Sequence, residues 1–232
     1  MAHNDDWFRV AALTDDAKSS FEAMLSKARS SCHQYMDIQA QGLVEVRAHN
    51  EAIALIDRIV AENTDYFAMT RIEQMRAECL RSLGDQSAAI NAYRRSIEHL
   101  RSRPSFRGSA PLDFAYWIAE ERIADCFEEA LNVTYEFWDT SPLFPVTAFR
   151  QHAVLAMLCH ELGDASAAGV NARAALLWAE RTKSNAANHR SLGLVGDDYA
   201  DLRRRLVRIV SSKSWLAGIL AKILPNRFFR RS

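Results

Sequence analysis

The chain has 232 residues, 49% of them hydrophobic and 25% charged, with 29 basic and 29 acidic side chains. That composition is globular, with enough apolar material for a substantial core. Five prolines and eight glycines exclude a sandwich of many tight turns and favour long helices. The zero net charge is unevenly spread. Residues 201–232 carry nine Lys/Arg and one acid, so the remainder is acidic by the same margin.

The start, MAHNDDWFRV, lacks the basic and apolar runs of a signal peptide. No apolar run approaches the ~20 residues of a spanning helix. The chain is therefore expected to be cytoplasmic. The first predicted element is a helix over Thr14–Ser31, with Thr14 as N-cap and Asp15 and Asp16 in its first turn. It is expected to cap the helices after it, so that residues 1–32 form an N-terminal capping segment.

The next 149 residues, 33–181, contain a repeat. SLGDQSAAI at Ser82–Ile90 returns as ELGDASAAG at Glu161–Gly169. Aligned on the second alanine of SAA, two weaker copies appear, and the aligned residues are Ala52, Ala89, Ala130 and Ala168. Twelve residues before each stand Ala40, Ala77, Ile118 and Ala156. Small residues let two antiparallel helices approach closely. Larger ones such as Met75, Leu80, Ile90, Tyr93 and Ile97 pack around them at helical spacing. Gly84-Asp85 and Gly163-Asp164 fit a helix C-cap followed by an acidic helix start. Four helix pairs result, with longer connections at Arg101–Pro111 and Asp139–Pro145. No strand is predicted.

A linker is expected over residues 182–196. After it, residues 197–232 form a basic segment. Its first helix, Asp197–Val210, turns Leu202, Leu206 and Ile209 inward as a second cap. The stretch Ser214–Ser232 then places Trp215, Ile219 and Ile223 on one apolar stripe, followed by Phe228 and Phe229 beside Arg230 and Arg231. Such a tail suits docking on the body, a partner's groove, or a membrane surface.

The alanine pairs and Gly-Asp turns resemble the tetratricopeptide repeat. The copies begin near His33, Thr70, Pro111 and Phe149. The resemblance implies an all-α, right-handed solenoid of antiparallel helix pairs with capping helices at both ends. It also implies a ligand groove lined by the first helix of each pair. The groove residues carried over are Gln34, Asp37, Gln41 and Val44, then Arg71, Gln74, Glu78 and Arg81. The third copy supplies Leu112, Ala115, Ala119 and Arg122, and the fourth Arg150, Ala153, Met157 and His160. Four arginines in an otherwise acidic body fit an acidic peptide or chain terminus, or they pair with their own acids.

No catalytic constellation accompanies these. HELGD at His160–Asp164 lacks the second histidine of a zinc protease helix. Glu121, Asp125 and Glu128 fit a solvated acidic face. Cys32, Cys79, Cys126 and Cys159 show no metal or redox spacing and are expected to be buried thiols. The function expected is that of a non-enzymatic adaptor or scaffold that binds a protein or peptide, with no cofactor, no metal and no nucleic acid. The alternative is a peripheral membrane protein acting through its tail at the inner membrane surface.

Overall fold

The computed structural model describes residues 14–28, 31–62 and 68–211, and these contain ten α-helices and no strand. The chain divides into two units, residues 1–110 and 111–232.

In the first unit, α1 (Asp15–Leu25) begins at Thr14, whose hydroxyl accepts from the Ala17 amide at 3.3 Å. That bond satisfies one of the four orphan donors of the first turn. Its buried residues, Phe21 and Leu25, join a core with Met36, Ala40, Ile56, Ile59, Ile72 and Met75. Two hairpins supply the rest of the unit: α2 (Cys32–Glu45) with α3 (His49–Glu62), and α4 (Met69–Ser82) with α5 (Gln86–Ser102). Each hairpin packs internally, and both α2 and α3 pack on α4.

In the second unit, α6 (Ala110–Glu120) and α7 (Phe127–Glu136) are followed by α8 (Pro145–Glu161) and α9 (Ala165–Ala179). Pro145 opens α8 in the first turn, where its missing N–H costs nothing. The last described helix, α10 (Ala200–Ser211), packs on α9 and α8 with Leu202, Leu206 and Ile209 buried. The segment expected to be a linker is pinned to the start of α8. Val146 donates to Gly193 O at 2.9 Å, and Asn185 donates from its backbone to Leu143 O at 3.1 Å. Gly193 has a φ of +69°, and a Cβ there would lie 2.6 Å from the Phe144 side chain. Only glycine fits on both grounds.

One backbone turn closes the first helix of every pair. The residue in the left-handed region is Arg47, Gly84, Arg122 and Gly163 in turn. The amide after it donates five residues back, as Ala48 to Leu43, Asp85 to Leu80, Ile123 to Ile118 and Asp164 to Cys159, all at 2.8–3.0 Å. This is the Schellman pattern, which satisfies the last carbonyls of a helix. Seven residues before each turn stand Ala40, Ala77, Ala115 and Ala156, all fully buried. Five residues after it stand Ala52, Ala89 and Ala168, but Ala130 follows Arg122 by eight. A 3₁₀ turn, Ala124–Cys126, accounts for the extra three. The counterpart of Ala40 in the third pair is therefore Ala115 rather than Ile118, and its first-helix positions all shift by three residues. All eight alanines are shielded from solvent.

The thiols follow the packing. Cys79, Cys126 and Cys159 are buried as expected, whereas Cys32 is partly exposed. Cys79 packs with Leu43 and Ala52. Burial, with a smaller contribution from the Glu78 charge, pushes its thiol up to about 11. Burial, then the Glu120 charge, pushes Tyr116 up to about 12. Both groups stay protonated in the fold at a pH where the unfolded chain has released their protons. Their contribution is complete below the unfolded values near 9 and 10 and is lost as pH rises through the folded ones. The melting temperature should stay level up to about pH 8.5 and fall beyond it, and Cys79→Ala should flatten the fall between 9 and 11. A wild-type and a Cys79→Ala profile that coincide would contradict this burial.

Candidate interaction faces

Arg71, Arg81 and Arg150 sit on the first helices of their pairs and Arg122 in the turn after α6, and Arg71, Arg122 and Arg150 are paired with acids of the chain. Arg71 on α4 pairs with Asp37 on α2; the arginine side chain is 49% exposed and the carboxylate 2%. Arg150 on α8 lies 2.6 Å from Asp113 on α6, with its guanidinium 5.2 Å from the Tyr116 ring centre. The two staples join residues 34 and 37 apart, close to one repeat. Each links neighbouring first helices within its own unit. Arg122, in the left-handed turn, pairs with Glu161 at 2.8 Å, and Glu161 also receives Arg205 at 3.3 Å. Arg205 further donates to the carbonyl of Ala119, which ties α10 to the end of α6.

A third staple was not apparent from the sequence. Arg95 on α5 donates to Glu73 on α4 at 2.8 Å, and the Glu73 side chain is 2% exposed. Glu73 occupies a slot in the helical pattern of α4 that charge alone would have assigned to solvent. A buried carboxylate is tolerated there because a guanidinium reaches it from the neighbouring helix.

Of the remaining predicted groove residues, Gln34 and Gln41 are exposed, and Val44, Gln74, Glu78 and Leu112 are partly buried. Gln74 donates to Glu78 at 3.1 Å and to Ser109 at 3.0 Å. Arg81 and His160 are exposed near the ends of α4 and α8. Ala115, Ala119, Ala153 and Met157 are buried and line no surface. In the shifted register, Ser109 and Tyr116 take first-helix positions equivalent to Arg71 and Glu78. The hydrogen bond from Gln74 to Ser109 lies within the first unit, between α4 and the residue that precedes α6. The faces thus offer amides, hydroxyls and already neutralised ion pairs, rather than a row of cations awaiting an acidic ligand.

His152 is used structurally: its Nδ1 lies 3.0 Å from Asn171 Oδ1 and its ring stands edge-on to Trp138. Glu121, Asp125 and Glu128 are exposed, as a solvated face requires. Trp215, Ile219, Ile223, Phe228, Phe229, Arg230 and Arg231 lie outside the described residues. No described helix is long and apolar enough to cross a membrane. Comparison of the chain with protein-family models, curated proteins and solved structures finds no match.

Proposed function

We propose that the protein is an interaction module of the tetratricopeptide type, an adaptor or scaffold that holds a peptide or protein partner against the first helices of its pairs. The supporting observation is the fourfold turn. Four successive first helices end in one left-handed residue, with a buried alanine seven before it and another five or eight after it. Helix pairs built alike bring equivalent positions of neighbouring first helices side by side within each unit.

The chemistry of the faces favours a partner bound through its backbone and polar side chains. Gln74, Glu78 and Ser109 already form a hydrogen-bonded set that an extended chain can join. An acidic ligand at Arg71 or Arg150 would have to displace Asp37 or Asp113, which neutralise them. A photo-reactive amino acid at position 81 tests the reading against one at position 98 on α5, where the Glu98 side chain is 71% exposed. In cell extract, position 81 should give discrete adducts and position 98 should not. Equal labelling from both positions would remove the first-helix face as the binding surface.

A further inference from the structure

The hairpin of α2 and α3 is symmetric about its turn. Arg47 lies midway between residues 32 and 62, so the start of α2 returns to the end of α3. Three residues of different chemistry meet there. Cys32 Sγ lies 3.6 Å from His33 Nδ1. His33 Nε2 lies 3.4 Å from Glu62 Oε2. One donor atom from each of the three lies within 4.8 Å of the others. Ligands around a tetrahedral zinc ion, at bond lengths of about 2.0–2.3 Å, stand roughly 3.3–3.8 Å apart. The two short contacts use opposite nitrogens of the His33 ring, so one ion would take a single imidazole nitrogen, and the three donor atoms, within 4.8 Å of one another, would have to draw together by up to about 1 Å.

We propose that Cys32, His33 and Glu62 form a zinc site with three protein ligands. A thiol, an imidazole and a carboxylate make a borderline-soft set that suits zinc and excludes magnesium and calcium, which require oxygen. The site is half-shielded: the His33 side chain is 18% exposed and that of Glu62 47%. Arg58 holds the other carboxylate oxygen, Oε1, at 3.8 Å, which leaves Oε2 turned toward the imidazole. The charge of Arg58 is itself met by Glu22 on α1 at 2.6 Å. An outer partner of this kind orients a ligating carboxylate. Three protein ligands leave a fourth position for water or for a group brought by a partner. The bound ion would clamp the open end of the hairpin opposite its turn.

The thiol can be read without interference, because Cys79, Cys126 and Cys159 are buried and Cys32 is not. The test titrates Co²⁺, a spectroscopic stand-in for zinc, into the chelator-treated full chain. The wild type should show a thiolate-to-cobalt band that saturates at one equivalent and is bleached by Zn²⁺. Cys32→Ser should abolish the band, and Glu62→Gln should weaken binding by about 10–100-fold. Cys159→Ser should leave the titration unchanged. Zn²⁺ should also raise the melting temperature of the wild type and not that of Glu62→Gln, an exposed change that spares the fold. A wild-type chain without a saturable band overturns the site. So does a band that survives Cys32→Ser, or affinity unchanged in Glu62→Gln.

Discussion

Arg71→Ala is expected to destabilise the protein by about 3 kcal/mol, far more than a half-exposed arginine would suggest. The reason lies in its partner. Asp37 is almost fully buried and Arg71 neutralises it. Removing the cationic member of such a pair takes compensation away from a charge held out of water, a loss of about 3–5 kcal/mol. The low end applies here because the guanidinium side still meets solvent. The converse change should be mild. Asp37→Leu removes the buried charge and leaves Arg71 in water, and the double change Asp37→Leu with Arg71→Ala should recover most of the loss. Urea denaturation of the three variants measures this asymmetry. A loss under about 0.5 kcal/mol for Arg71→Ala, the range of an exposed pair, would show that the staple is ornamental. Charge reversal at Arg71 or Arg150 would consequently read out folding before it read out any binding.

The second large effect concerns the register of the third pair. Ile118→Ala should cost about 2–5 kcal/mol, because Ile118 fills a fully buried position and its loss leaves a cavity. Ala115→Leu should cost about 1–3 kcal/mol by overpacking the place where Ala40, Ala77 and Ala156 stand in the other pairs. In the register counted back from Ala130, Ile118 would occupy the close crossing instead, and its truncation to alanine would relieve crowding. Thermal or urea melts separate the two. A neutral or stabilising Ile118→Ala would restore the register counted from the sequence.

The helical pattern is legible in the sequence because its causes are local. Thr14 announces an N-cap, Gly84-Asp85 and Gly163-Asp164 announce turns, and Leu202, Leu206 and Ile209 mark one face of a helix. The third pair misleads for a physical reason. Its turn residue is Arg122, which carries no glycine signal, and three residues of 3₁₀ turn separate it from Ala130's helix. Counting back from Ala130 therefore lands on Ile118. The Arg47 turn is silent for the same reason. The charged residues of the first helices are legible as positions but their partners are not. Asp37 and Arg71, or Glu73 and Arg95, look in sequence like separate solvated charges, and only packing shows that the carboxylates are inside. The meeting of Cys32 and His33 with Glu62 is likewise invisible to local spacing, because it depends on where the α2–α3 turn falls.

The left-handed turns also bear on how the chain finds its fold. Each unit holds one hairpin closed by glycine, α4–α5 or α8–α9, and one closed by arginine. A non-glycine residue in that region costs about 1–2 kcal/mol of backbone energy, and glycine avoids it. The glycine hairpins also carry a side-chain cap on the next helix, with Asp85 accepting from Ala88 and Asp164 from Ala167. Closure there needs only contacts that are near in sequence, which form fastest. Each unit is thus expected to nucleate at its glycine-closed hairpin, with the arginine-closed neighbour added afterwards. A chain organised in this way has two starting points for folding, and damage to one nucleus leaves the other able to form.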